Sequence, residues 1–122
     1  MAWNIQLPDA AWIDPDQPGS AELIAQLKEE LRHTFTVALD TETTGLDKMR
    51  DLPLYWTLGW RDRQGAARRV CMPASTLHLF TEIFAKEDRQ WVFANAKYDC
   101  AILANVGIEV KGEAGLWGRG WV

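Results

Sequence analysis

Cysteine, histidine and long apolar runs are all scarce in this chain of 122 residues. Its two cysteines, Cys71 and Cys100, are too few for a disulfide framework and indicate free thiols in a cytosolic protein. No apolar run approaches the ~20 residues that a membrane-spanning helix needs. The N-terminus lacks the basic region and apolar core of a secretory signal. We therefore expect a cytoplasmic protein with no membrane partner.

Basic residues are fewer than acidic residues, with 13 Lys and Arg against 17 Asp and Glu. The formal net charge is −4 at pH 7, which is not typical of a protein that binds duplex nucleic acid strongly. The arginines of segment 61–69 form a local basic cluster, which we interpret as a solvated hairpin surface. The hydrophobic content of 48% excludes a disordered chain, and the length fits one small domain.

The apolar pattern predicts strands that alternate with helices. Strands are predicted over 35–41, 54–60, 66–72 and 90–94. Helix caps are predicted at Ser20, Ser75 and Asn95, and the first helix should run to about residue 33. The buried stripe of the first helix is predicted to be Leu23, Ile24, Leu27 and Leu31, and the inward residues of the second are Leu77, Phe80, Ile83 and Phe84. Phe35, Val37 and Leu39 should share one face of the first of these strands. Alternation of Trp3, Ile5 and Leu7 indicates a further edge strand. Trp56, Trp60 and Trp91 fall on predicted strands and are interpreted as core residues, since burial of an aromatic ring is strongly favourable.

The most informative segment is 37–47, Val-Ala-Leu-Asp-Thr-Glu-Thr-Thr-Gly-Leu-Asp. Asp40 and Glu42 lie two residues apart at the end of a predicted strand, so their side chains point to the same face, roughly 7 Å apart along the chain. Carboxylates this close repel each other unless a cation lies between them, and hard oxygen ligands favour Mg²⁺ or Mn²⁺. A solvated turn is the alternative for an isolated Asp-x-Glu. Small residues such as Ala38 beneath the acids favour a ligand site.

A second group of polar residues follows the predicted strand 90–94. Asn95 is a suitable N-cap for the next helix, and Asp99 falls near its first turn. Stabilisation by the helix dipole is one explanation of an acid at this position. The functional alternative is that Asp99 supplies a third carboxylate to the pair formed by Asp40 and Glu42.

Together the segments Asp-Thr-Glu-Thr-Thr-Gly-Leu (40–46) and Asn-Ala-Lys-Tyr-Asp (95–99) resemble the first two motifs of the DEDD superfamily of 3′–5′ exonucleases. The similarity is closest to the proofreading domains of DNA polymerase I-type enzymes and covers roughly residues 35–112. It implies an α/β fold of the RNase H-like type, with a mixed sheet and flanking helices, that is incomplete at its C-terminus. In this fold the first three predicted strands would form a meander, and strand 35–41 would lie beside strand 90–94, which would bring the three acids together. Tyr98 would support the second motif. The resemblance also divides the chain into an N-terminal segment with a packing helix (1–34), a partial exonuclease domain (35–112) and an atypical Gly/Trp tail (113–122).

The resemblance implies a role for each matching residue. Asp40, Glu42 and Asp99 would be the catalytic acids and the ligands of two divalent metal ions, Mg²⁺ or Mn²⁺. Contacts with the single-stranded 3′ end of DNA would come from a second group of residues: Thr41, Thr43, Leu46 and Asn95. In this group Leu46 would wedge against the terminal bases.

The third motif of the superfamily is not found in this sequence. It contains a Tyr or His four residues before a fourth Asp, whereas residues 115–122 read Gly-Leu-Trp-Gly-Arg-Gly-Trp-Val. Neither His33 nor His78 replaces the missing group convincingly. We therefore expect a truncated or frame-altered exonuclease. The alternatives are a non-catalytic nucleic-acid or polymerase-binding module and an inert fragment that self-associates through an uncovered sheet edge and its Trp tail.

Overall fold

The computed structural model describes residues 11–111. Its strands are β1 (Ala11–Trp12), β2 (Thr36–Thr43), β3 (Pro53–Arg61), β4 (Ala67–Pro73) and β5 (Gln90–Val92). Its helices are α1 (Ser20–Arg32), α2 (Thr81–Ala85) and α3 (Ala96–Ala104), and a 3₁₀ helix spans Ala74–Phe80. The strands form one sheet in the order β1-β4-β3-β2-β5. The α/β fold class predicted from the sequence is confirmed.

Helix α1 has nearly the predicted extent, but its N-cap is different. The residue before the helix is Gly19, whose φ of 84° lies in the left-handed region that glycine adopts without strain. The hydroxyl of Ser20 does not cap the helix; it donates to the backbone carbonyls of Pro15 and Gln17. Ile24, Leu27 and Leu31 are buried against the sheet, as their helical spacing predicted.

Strands β2, β3 and β4 form the predicted antiparallel meander. Val37 and Leu39 of β2 face the core, and Trp56, Leu58 and Trp60 face it from β3. These residues alternate with exposed ones, as expected for a strand with one covered face. Phe35 was predicted to share the face of Val37 and Leu39, but it precedes the strand and is 48% exposed. Leu54, 50% exposed, lies where the β2–β3 register shifts next to Glu42 and Thr43.

The segment after β4 starts as a 3₁₀ helix, so the predicted cap at Ser75 is wrong. The residue before the helix is Pro73, whose side chain has no hydrogen-bond donor or acceptor. Thr76 organises this segment instead: its hydroxyl donates to the carbonyl of Pro73 and accepts from Nε1 of Trp56 at 2.9 Å. The inward positions predicted for this region are all buried: Leu77, Phe80, Ile83 and Phe84.

Strand β5 lies parallel to β2, which confirms the predicted neighbourhood of the two motif-bearing segments. It ends at Val92, two residues earlier than predicted, and forms one edge of the sheet. The helices pack on one side of the sheet. The opposite side of the sheet, called the open face below, is not covered by any element within 11–111. It carries the following residues: Thr36, Ala38, Asp40, Glu42, Tyr55, Thr57, Gly59, Arg69 and Cys71.

Two predicted features lie outside the described residues. These are the edge strand with Trp3, Ile5 and Leu7, and the tail 113–122 with its two tryptophans. At the sheet edge next to β4, the structure places the short strand β1, which runs parallel to β4.

A buried arginine joins α1 to β5. Arg89 is 0% exposed, and its guanidinium donates to the carbonyls of Leu31 at 2.7 Å and Thr34 at 2.9 Å. It also lies over the ring of Trp91, 5.4 Å from the centroid. Burial lowers the pKa of Arg89 to about 10, so it stays charged at neutral pH. Two charge-assisted bonds at the C-terminal end of α1 offset part of the cost of burying this charge.

We expect Arg89→Met to destabilise the fold by about 2–4 kcal/mol, because two buried carbonyl oxygens would lose charge-assisted hydrogen bonds. Urea unfolding followed by circular dichroism would measure the loss. The matched control is Arg63→Met at an exposed position, which should change the free energy of unfolding by less than about 0.5 kcal/mol. Equal effects of the two substitutions would show that Arg89 has no special structural role.

Candidate carboxylate site

Asp40 and Glu42 lie on the open face, near the end of β2. Both side chains are exposed, and both alternate with core residues, so they share a face as predicted. The side chain of Asp40 accepts a hydrogen bond from the backbone N–H of Thr41 at 3.1 Å. Within residues 11–111, no lysine, arginine or histidine forms an ion pair with either acid. The two neighbouring carboxylates therefore have no cation from the described part of the protein between them.

Asp99 approaches the same strand from α3. It is 2% exposed, and its Oδ1 accepts a 2.6 Å hydrogen bond from the hydroxyl of Thr41. Burial raises the pKa of the Asp99 carboxyl, and the negative charge of Asp40 raises it further, while the Thr41 hydroxyl partly offsets both effects. Asp99 is therefore close enough to Asp40 for the two charges to interact.

The three acids do not form a ready metal cluster. Thr41 is buried and points away from the face that carries Asp40 and Glu42, and Asp99 is bonded to Thr41. In the described part of the chain, no group of three His, Cys, Asp or Glu side chains could hold a metal ion. The backbones of β2 and β5 are neighbours, as expected, and the Thr41 hydroxyl binds Asp99 from the covered side of the sheet. That the three carboxylates act together as one metal site stays a prediction.

The oxygen atoms of Asp40 and Glu42 are nevertheless of the type that binds divalent cations. Asp40 and Glu42 offer hard oxygen donors on an open surface, next to a cavity of about 580 Å³ that Asp40, Thr57, Arg69 and Cys71 help to line. The unbalanced negative charge that Asp99 experiences from Asp40 would be relieved by a bound cation. The donor set therefore fits Mg²⁺ or Mn²⁺ with Asp40 and Glu42 as ligands.

The loop after Glu42 is held by α3. The hydroxyl of Tyr98 donates to the carbonyl of Gly45 at 2.6 Å, and Thr43 Oγ1 makes the same contact at 2.6 Å. Asn105 donates to the carbonyls of Lys48 and Asp51 from the other end of the helix. The second motif therefore fixes the loop of the first. Tyr98 was given a supporting role from the sequence, whereas Asn105 carries no pattern that would have identified it.

The predicted nucleotide-binding residues are dispersed around the acids. Leu46 is 93% exposed at the tip of this loop, and Thr43 is half-buried with its hydroxyl bonded within the loop. Asn95 is exposed and caps α3, accepting from the backbone N–H of Tyr98 as predicted. Thr41 faces the core, where its hydroxyl is bonded to Asp99. Leu46 and Asn95 are therefore accessible to a ligand, and Thr41 is not.

Sequence reasoning missed an exposed aromatic pair close to the acids. Trp12 and Tyr55 are 56% and 42% exposed, and their ring centroids lie 6.1 Å apart in an edge-to-face arrangement. The hydrophobic alternation of β3 assigned Leu54 and Trp56 to the core side and left Tyr55 without a role. Trp12 lies in a strand of two residues, which is too short to give a periodic signal.

Both cysteines are free thiols, as expected from their number. Cys71 lies on the open face. Burial and the neighbouring Asp99 raise the pKa of the Cys100 thiol, which makes it unreactive at neutral pH. Among the helices of residues 11–111, none has the length and apolar content to cross a bilayer.

Comparison with a family model described as 3′–5′ exonuclease, of the DNA polymerase A type, gives a match over residues 16–114. That range includes both motif segments. A search of curated proteins finds no significant match.

Three of the solved structures with the same fold are similar to this chain at low sequence identity. Brucella melitensis NrnC is 19% identical with a TM-score of 0.53, covering 84% of this chain and 45% of that one. Trypanosoma brucei RNase D is 12% identical with a TM-score of 0.62, covering 84% and 36%. The POL domain of Pol1 from M. smegmatis is 15% identical with a TM-score of 0.57, covering 84% and 17%. The chain thus spans less than half the length of each of these proteins.

We expect Asp99→Asn to stabilise the metal-free protein at pH 7. A carboxyl whose pKa is raised in the folded state is protonated more readily there than in the unfolded chain, so its charge lowers stability once the pH exceeds the ordinary pKa of 3.8. The gain should shrink as the pH falls below that value, where both states are protonated. Urea unfolding in EDTA across this pH range would measure it.

Asp16→Asn, at an exposed loop position, is the matched control and should show no such pH-dependent gain. A lower stability of Asp99→Asn at pH 7 would contradict the conclusion that burial and Asp40 disfavour the Asp99 charge.

Proposed function

Because the chain belongs to the 3′–5′ exonuclease family, we propose that its carboxylate site removes nucleotides from the 3′ end of DNA with the help of divalent metal ions. The observation that carries this proposal is the pair Asp40 and Glu42, exposed on one face of β2, with Asp99 next to them and no ion-paired cation in the described part of the chain. A proofreading role would follow from the polymerase type of the family model.

The roles of the acids follow from their positions. Asp40 and Glu42 would hold the cation on the open face, and Asp99 would be a third ligand whose carboxylate the Thr41 hydroxyl orients. The chemistry that two such cations supply is activation of a water molecule and stabilisation of the leaving 3′ oxygen. One of the structures of Brucella melitensis NrnC has bound Mg²⁺, which supports the choice of metal.

The terminal nucleotide would lie between the loop tip and the start of α3. Leu46, exposed on a loop that Tyr98 and Asn105 fix in place, is suited to pack against the last base. Asn95 would contact the sugar or phosphate from the N-terminus of α3. Thr41 faces the core, so we now propose that it orients Asp99 and does not touch the substrate.

The similar structures include complexes with both RNA and DNA. Among the similar structures, Trypanosoma brucei RNase D has been solved in complex with RNA U12, and M. smegmatis Pol1 with a DNA primer-template. We favour DNA because the matching family model is of the DNA polymerase A type.

A non-catalytic binding module is the second candidate function. One observation favours it: Asp99 is bonded to Thr41, and no metal cluster of three side chains is found among the described residues. In this alternative the same surface would bind a 3′ end or a polymerase without hydrolysis.

Digestion of a 3′-labelled single-stranded oligonucleotide in Mn²⁺ separates the two functions. Wild type should release labelled mononucleotide, and Asp40→Ala should lose nearly all of this activity because a metal ligand is removed. Asp16→Ala, which removes an exposed acid far from β2 in sequence, should retain it. Equal traces of release from all three proteins would contradict catalysis by this site. Binding of the oligonucleotide by all three without release would support the binding module.

We also propose that residues 1–122 self-associate when prepared alone. The outer edge of β5 and the open face are not covered within 11–111, and unpaired strand edges and uncovered faces favour pairing with another chain. Light scattering over a range of concentrations should give a mass above that of one chain. A monomer mass that does not change with concentration would contradict this prediction.

A further inference from the structure

We propose that Trp12 and Tyr55 form a stacking subsite for the inner bases of a single-stranded nucleic acid whose 3′ end lies at Asp40 and Glu42. The inference rests on the proposed function, and it adds a site for nucleotides that are not themselves cleaved. It would determine how the length of the strand affects affinity.

The first support is position. Tyr55 is the direct cross-strand partner of Glu42 on the open face, so the two Cα atoms lie about 5 Å apart. Trp12 pairs with Cys71 of β4, which in turn pairs with Thr57, the partner of Asp40. The path from Glu42 through Tyr55 to Trp12 therefore crosses the sheet next to the acids. It spans three strand spacings, ~14 Å.

The second support is exposure without a structural explanation. Both rings contact each other edge-to-face, yet about half of each remains exposed. Aromatic rings are normally buried because they contribute more to stability there than on the surface. The buried tryptophans Trp56 and Trp91, by contrast, contact Phe80, Phe84 and Phe93 in the core. The Trp12–Tyr55 pair therefore offers ring surface that the described fold does not use.

The third support is the distribution of apolar surface. Of eight large exposed hydrophobic side chains in the described residues, six belong to β1, the start of β3 and the loop that joins β2 to β3: Trp12, Leu46, Met49, Leu52, Leu54 and Tyr55. This concentration lies at the acidic end of the sheet. Base faces are apolar and aromatic, so bases are suited to cover such a surface.

Charge on the open face is consistent with a nucleic-acid strand. Arg69 is exposed, pairs with Gly59 in the sheet and helps to line the same cavity as Asp40. It forms no ion pair with an acid of residues 11–111. A cation two residues along β4 from Cys71, the partner of Trp12, could bind a backbone phosphate between stacked bases.

The test compares fluorescein-labelled thymidine mono-, di- and hexanucleotides by fluorescence anisotropy, with Ca²⁺ to prevent digestion. Trp12→Leu and Tyr55→Leu should each weaken hexanucleotide binding roughly tenfold, the size expected for loss of one base–ring stack. Mononucleotide binding should stay unchanged, because the terminal site does not include these rings. Trp12→Phe, which keeps a ring, should recover most of the affinity.

Phe35→Leu is the matched control, since it removes an equally exposed ring that precedes β2, at the other end of the strand from the acids. It should leave all three affinities unchanged, and circular dichroism should show that every variant is folded. Hexanucleotide binding that survives both leucine substitutions would overturn the subsite alone. A parallel loss of mononucleotide binding would also overturn it. Failure of the wild type to bind any of the three probes would overturn the proposed function and the subsite together.

Discussion

The pleat of β2 is the constraint on which the rest of this structure depends. Because successive side chains of a strand point to opposite sides, one strand supplies both the core and the site. Val37, Leu39 and Thr41 enter the core, and Asp40 and Glu42 remain on the open face. A shift of the register by a single residue would bury two carboxylates and expose the aliphatic side chains, which would severely destabilise a small domain. The hydrophobic contacts of β2 therefore also determine where the acids lie.

Helix α3 carries Asp99 and holds the loop that follows Glu42. Asn95 caps its N-terminus. Its first turns carry Asp99, which is bonded to Thr41, and Tyr98, which is bonded to the loop. Asn105 at its C-terminal end also donates a hydrogen bond to the loop. The loop has few buried apolar side chains of its own, so these hydrogen bonds are its main restraint. A helix that carries one of the acids thus also positions the loop with the exposed Leu46.

The sequence predicted the elements whose signals are periodic. The stripe of α1 and the alternation of β3 come from spacing, and the structure confirms them except at the ends, where Leu23 is partly buried and Leu54 is exposed. The cap at Asn95 comes from residue type and is confirmed as well. The sequence did not predict the side on which Asp99 lies, because that depends on a hydrogen bond between residues 58 positions apart in the chain. Arg89 was missed for a related reason: an arginine is ordinarily exposed, and only the carbonyl oxygens at the end of α1 make its burial tolerable. Ser20 and Ser75 were assigned as caps from residue type, although local backbone geometry decides that role.

The Thr41–Asp99 hydrogen bond links the stability of the fold to the proposed activity. The bond satisfies a carboxylate that is otherwise buried and repelled by Asp40, so it stabilises the protein without metal. A cation held by Asp40 and Glu42 would remove that repulsion and offer Asp99 a stronger partner than a hydroxyl. A carboxylate has two oxygens and several acceptor sites, so Asp99 can accept from the Thr41 hydroxyl and bind a cation at the same time. In the proposed metal site, Thr41 would therefore orient Asp99 and contribute to metal affinity although it faces away from the open face. A threonine at the centre of the Asp-Thr-Glu segment thus has a physical role that its position between two acids does not reveal.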